Sequence, residues 1–154
     1  MTGVQTCALP IWVLQNVKLL SQAFGQNRIV LNGRNWQSIL IFGYLLPDTW
    51  KQQKSRLLIV LPPKSQIFYK PPERFYMDWG LRLINGKRPP HYFENDSFND
   101  KKNQKMARFS FHVKENNWNP RINCLDGTNL HQVIQGFYKG LISAAKEEIG
   151  RAHV

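Results

Sequence analysis

The run Arg56-Leu57-Leu58-Ile59-Val60-Leu61 ends on Pro62-Pro63, and no other feature constrains the fold of this chain as tightly. A short, continuously apolar run with no polar alternation fits a β-strand covered on both faces. Proline has no N–H to give to a ladder and fixes its own φ, so the pair stops the strand at a defined point. A second pair, Pro71-Pro72, precedes Phe75-Tyr76-Met77-Asp78, an aromatic segment that reads as the next strand. With Pro62, Pro63, Pro71 and Pro72 in it, the connector between the two strands is expected to be extended and stiff, not helical.

The flanking sequence supplies the other elements. Val13, Val17, Leu20 and Phe24 recur at helical spacing, and Gly25 follows where a helix C-terminus accepts a left-handed residue. Arg28 to Leu31, the turn dipeptide Asn32-Gly33, and Trp36 to Tyr44 read as a β-hairpin that Pro47 closes. Asn85-Gly86 marks another turn. From His91 to Ala107 the chain is polar and without a period, as in Glu94-Asn95-Asp96, so residues 91–107 are expected to form a long irregular loop. Arg108 to Val113 alternates and reads as one more strand. Asp126-Gly127-Thr128 offers a cap to a closing helix whose one face carries Leu130, Ile134, Phe137, Leu141 and Ala145. Gly136 and Gly140 cost that helix about 1 kcal/mol each relative to alanine, which close packing on the sheet would explain. The sum is an α+β domain: an N-terminal helix, a mostly antiparallel meander of about four to five strands, and a C-terminal helix packed on the sheet.

Both ends carry a signature unrelated to folding. Thr6 to Ile11 and Glu148 to Val154 back-translate into DNA strings that are reverse complements over most of their length and resemble a sequencing-library adapter. Residues 1–11 and 148–154 are therefore set aside as adapter-derived, and 12–147 are treated as a single domain. Cys7 leaves with the adapter. Cys124 then stands alone, which excludes an internal disulfide and a cysteine-rich zinc site. His91, beside Pro90, has no neighbouring ligands for a metal, and no cofactor is expected. No apolar run reaches the ~18 residues of a membrane span, so a cytoplasmic protein is the default reading.

A net charge of +11 raises the question of nucleic acid. The basic residues are scattered, however, and the densest group, Lys101, Lys102 and Lys105, lies in the polar segment. No aromatic-glycine RNA-binding strand, Cys/His finger or helix-turn-helix pair accompanies it. An acidic protein partner fits at least as well.

Leu57 to Pro63, Pro72 with Phe75 to Asp78, Arg108 to His112, and Trp118-Asn119-Pro120 before Leu130 together resemble the ubiquitin-conjugating (UBC-like) fold, and more narrowly the prokaryotic UBC-like family E. The resemblance covers about Phe42 to Ala145. It implies a bacterial pathway with a ubiquitin-like modifier, an activating enzyme and a deconjugating metalloprotease. Trp118, Pro120, Pro62 and Pro63 of these motifs, with Lys101 and Lys102 of the basic surface, are the candidate binding residues for the modifier or the activating enzyme.

A conjugating enzyme carries its modifier as a thioester, which needs a cysteine thiolate ahead of the Trp-x-Pro and an oxyanion-stabilising group beside it. Counting back from Trp118, that place falls on Ser110, and an unactivated hydroxyl is no substitute. Cys124 is the alternative. It follows the Trp-x-Pro at the approach to the last helix, where a helix N-terminus lowers a thiol pKa, with His131 about two turns on; the competing reading is a small buried hydrophobe. Ser110 and His112, two apart on an alternating strand, would share a face, either as a dyad lacking its acid or as a structural hydrogen-bonded pair. The sequence thus favours a UBC-like module without the usual catalytic cysteine, acting as a scaffold. A divergent conjugating enzyme using Cys124 and a basic nucleic-acid-binding domain are the alternatives.

Overall fold

The computed structural model describes residues 3–32, 38–63, 66–99 and 105–152. Helix α1 (Gly3–Phe24) leads into β1 (Ile29–Asn32) and β2 (Ser38–Leu45). Strands β3 (Lys54–Val60), β4 (Arg74–Asp78), β5 (Tyr92–Asn99) and β6 (Lys105–Phe109) follow, and α2 (Leu130–Ala152) closes the chain. Gly25, at φ 109°, donates its N–H to the Ser21 carbonyl and ends α1 as expected. The hairpin β1–β2 forms in the register Ile29↔Ile41 to Asn32↔Ser38, while Gly33 of the turn dipeptide lies outside the described residues.

The strands pair antiparallel in the order β1-β2-β3-β4-β6-β5. Alternation along the strands sends Ile39, Ile41, Leu57, Ile59, Phe75, Met77, Ala107 and Phe109 to one face. Both helices cover that face with Trp12, Leu20, Leu130, Phe137 and Leu141, so the core lies between the sheet and the two helices. A smaller cluster of Leu58, Tyr76 and Met106, joined by Leu40 and Val60, occupies the opposite face. The central strand β3 is therefore apolar on both sides, as its uniform sequence requires.

Four expectations need correction. Residues 91–107 are not an irregular loop: β5 and β6 fall there, which brings the sheet to six strands among the described residues. Their polarity is that of a sheet edge, whose charged residues find partners beside the sheet. Glu94 accepts from the Gly80 N–H at 3.0 Å and pairs with Arg82 at 3.0 Å, and Asp96 pairs with Arg108 at 2.6 Å. The proline-flanked connector is turned instead of extended. Its prolines sit at the two ends, and between them Gln66 donates to the Pro63 carbonyl and Lys70 to that of Gln66, tucking Ile67 into the core. The strand expected over 108–113 ends at Phe109, because its partner β5 begins at Tyr92 opposite it. Finally, α2 is capped by Asn129, not by Asp126 or Thr128. Asn129 Oδ1 accepts from the Gln132 N–H at 3.1 Å, while Gln132 Oε1 accepts from the Asn129 N–H at 3.4 Å, a reciprocal capping box.

The glycines of α2 do allow close packing, but chiefly against Phe111, just past the end of β6, rather than against the sheet itself. A Cβ at Gly136 would stand 3.3 Å from the end of the Phe111 ring, and one at Gly140 3.4 Å from the same ring. Phe111 lies in that gap, edge-on to Phe75 and Phe137 at centroid distances of 5.3 and 5.6 Å.

Candidate functional site

The segment between β6 and α2 holds Ser110, His112, Trp118, Pro120 and Cys124. At its start, the Ser110 N–H donates to the His91 carbonyl at 2.8 Å, a last rung after the strand has ended. His91 has φ 65°, which swings the chain away from further pairing. Its ring Nε2 lies 2.9 Å from a Glu147 carboxylate oxygen on α2. Ser110 Oγ and His112 Nε2 are 3.5 Å apart, so the pair that strand periodicity placed together stays together although the strand has stopped. His112 is exposed and Ser110 half-buried. Phe111, between them, anchors both to the aromatic core.

Trp118 and Pro120 are buried. The Trp118 indole N–H donates to the Ile67 carbonyl at 2.9 Å, and the ring stands edge-on to Trp12 at 5.9 Å. The Trp-x-Pro therefore fastens this segment to the proline-flanked turn and to α1. Of the six residues expected to bind a partner, these two are buried, and Trp118 is engaged inside the fold. The chain next doubles back on itself: Thr128 Oγ1 accepts from the Asn119 N–H and donates to the Asn117 carbonyl. Gly127 is required at this point, because a Cβ there would lie 2.4 Å from the Asn119 carbonyl oxygen and 2.8 Å from the Arg121 nitrogen.

Cys124 opens a single 3-10 turn (Cys124–Asp126) under α1 and is 2 % exposed. Its N–H donates to Gln15 Oε1 at 2.8 Å, and its carbonyl accepts from Asn129 Nδ2 at 3.3 Å. Burial pushes the thiol pKa above its ordinary value, the reverse of what a nucleophile needs. Its neighbours Ile122 and Leu125 are exposed. His131 packs its ring against Phe24, at 6.3 Å between centroids. No hydrogen bond joins it to Cys124 among the described residues.

Pro62 is half-buried and Pro63 exposed. They line a groove of about 200 Å³ with Val60, Gln66 and Arg74. Lys101 and Lys102 lie outside the described residues. Among the described residues, no group of His, Cys, Asp or Glu is placed to hold a metal, and no helix is long and apolar enough to cross a membrane.

Sequence reasoning missed Asn16 and Gln15. Asn16 is fully buried on α1, donates to the Trp12 carbonyl at 2.8 Å, and accepts from the Leu130 N–H at 2.8 Å, tying the two helices together at the start of α2. The available signal was a polar residue within the apolar face set by Val13, Val17 and Leu20.

The family model for Prokaryotic E2 family E matches residues 29–137, from β1 into the first half of α2. The chain belongs to that family. Its fold is the UBC-like arrangement of an antiparallel sheet with an N-terminal and a C-terminal helix, and family E membership makes it an E2-like module of a conjugation pathway. The match spans Ser110, Trp118, Cys124 and His131, so the whole candidate site lies inside the family region. No curated protein and no solved structure matches the chain.

Proposed function

We propose that this family E chain serves its pathway as a binding module that holds the ubiquitin-like modifier or its activating enzyme, without itself carrying the modifier as a thioester. One observation supports the reading: the sulfur of Cys124 is sealed in the core, while the position that counting back from Trp118 assigns to the carrier is Ser110, an oxygen where the chemistry needs sulfur. A thioester carrier must present a thiolate to an incoming adenylate or thioester. Ser110 presents a hydroxyl, next to an imidazole at 3.5 Å with no carboxylate hydrogen-bonded to it among the described residues. Cys124 is buried, and burial pushes its thiol pKa up, which disfavours the thiolate. The excess positive charge favours a partner with acidic surface and would speed its capture.

The test combines the chain with a ubiquitin-like modifier, a cognate activating enzyme and ATP, followed by non-reducing electrophoresis. The binding-module reading expects a complex with modifier or activating enzyme that Cys124→Ala leaves unchanged, and no thiol-sensitive adduct. An adduct released by reductant and abolished by Cys124→Ala would establish the divergent conjugating enzyme instead. Binding to DNA or RNA that falls steeply with salt, with no binding to either pathway protein, would establish the nucleic-acid reading.

A further inference from the structure

Apart from the groove at Pro62-Pro63, the described residues leave a second hollow. Strand β1 stops pairing with β2 at Ile29↔Ile41, and β2 then bulges before resuming its register with β3 at Tyr44↔Ser55. Gly43, at φ 66°, makes that bulge possible, and α1 ends nearby at Phe24. Between the end of α1, the bulge and the outer side of α2 lies a groove of about 690 Å³. That is within the range of about 300–1,000 Å³ typical of small-molecule sites.

Its lining is aromatic with a cationic rim. The Phe24 and Tyr138 rings flank Tyr44 at centroid distances of 6.0 and 6.4 Å. Tyr44 is 3 % exposed, yet its hydroxyl has no hydrogen-bond partner among the described residues. A buried hydroxyl left unpaired is costly and rare, and it indicates a group that completes the site. Arg28 lies along Gly43, with its guanidinium 3.5 Å from where a Cβ would stand, and Lys139 faces the groove from α2. Neither has an ion-pair partner among the described residues, and no carboxylate lines the groove. The walls want a flat apolar body, and the rim wants a negative charge.

We infer that this groove is a binding site for a small aryl carboxylate. The ring lies among Phe24, Tyr44 and Tyr138, one carboxylate oxygen accepts from the Tyr44 hydroxyl, and the other reaches Arg28 and Lys139. His131, the candidate partner for Cys124, also lines this groove, through its ring rather than through any bond to the thiol, and the inference does not rest on the binding-module reading.

The probe is 1-naphthaleneacetate, titrated into the full chain by calorimetry, with the uncharged 1-naphthaleneacetamide as the control. The expected result is saturable one-to-one binding of the acid, at least about tenfold weaker binding of the amide, and about tenfold weakening of the acid by Arg28→Gln with Lys139→Gln. Tyr44→Phe is expected to weaken binding about two- to fivefold without lowering the thermal midpoint, since it removes an unpaired buried hydroxyl. Equal affinity for acid and amide, undiminished binding by the doubly substituted chain, or no saturable binding of the acid would each overturn the site. None of these outcomes bears on thioester chemistry, so the failure of this site and the failure of the binding-module reading are separable.

Discussion

Ser110 and Cys124 sit in the same inter-element segment and divide between them what a thioester carrier needs in one residue. Ser110 stands where β6 has ended, with His112 exposed beside it, so a large partner has access but meets a hydroxyl. Cys124 has the thiol but is held beneath α1 by Gln15 and Asn129 and is 2 % exposed. On the proposed reading, position and chemistry have come apart. The difference teaches that a reactive residue type, found by reading a sequence, means little until the backbone around it shows whether a partner can reach it.

The largest expected effect comes from placing sulfur in the half-buried position beside the exposed His112. In Ser110→Cys, iodoacetamide should modify the new thiol at least about a hundredfold faster than Cys124, because Cys124 reacts only through local opening that costs several kcal/mol. Peptide mapping by mass spectrometry after a short pulse measures both in one sample. Similar rates would erase the distinction between the two positions.

The next prediction loosens the Cys124 side. Gly127→Ala forces a methyl against the backbone at Asn119 and Arg121, which cannot give way as a flexible side-chain end can. A loss of about 1–3 kcal/mol in denaturant unfolding is expected, together with faster alkylation of Cys124. Stability lost with unchanged Cys124 protection would mean that the turn does not seal the thiol.

High pH sharpens the same contrast through the sheet edge. Burial pushes Tyr92 up to about 12, with its hydroxyl donating to the Asp78 carbonyl and accepting from the Leu81 N–H at 3.2 Å. In the unfolded chain a tyrosine titrates near 10, so the stabilisation is complete below about pH 10 and is lost as pH rises toward 12. The loss is about 2–3 kcal/mol, by unfolding across that window. Cys124, raised in the same direction by burial, adds a loss beginning near the ordinary thiol range. Cys124→Ala should abolish the earlier decline and leave the later one; an unchanged profile would place the thiol in contact with water.

The smallest effect concerns Asn16. Asn16→Ala leaves the buried Leu130 N–H without its partner, and a loss of about 1–2 kcal/mol in urea unfolding is expected. The same substitution tests whether the α1–α2 tie helps to keep Cys124 covered.

Much of this fold was legible because proline and hydrophobic runs are local signals. Pro62-Pro63 marked the end of β3, the β1–β2 pair followed from β-branched and aromatic segments around a turn, and the face of α2 followed its spacing. What escaped depended on distant partners. Glu94 and Asp96 look like loop residues until Gly80, Arg82 and Arg108 are beside them, and so β5 went unread. The cap of α2 was displaced to Asn129 because Thr128 is taken up by Asn117 and Asn119, which lie close only after the segment has doubled back. The site was legible in its chemistry and not in its access. Ser110 and His112 were correctly paired by spacing, whereas the burial of Trp118 and Cys124 depends on α1, more than a hundred residues earlier.

The most direct test of the central claim is the alkylation rate of Cys124 in the native chain compared with the chain unfolded in urea, read by peptide mapping so that Cys7 is counted separately. The binding-module account predicts that Cys124 is silent while folded and reacts fully once unfolded. Rapid native modification of Cys124, accelerating through neutral pH as a thiolate forms, would contradict it.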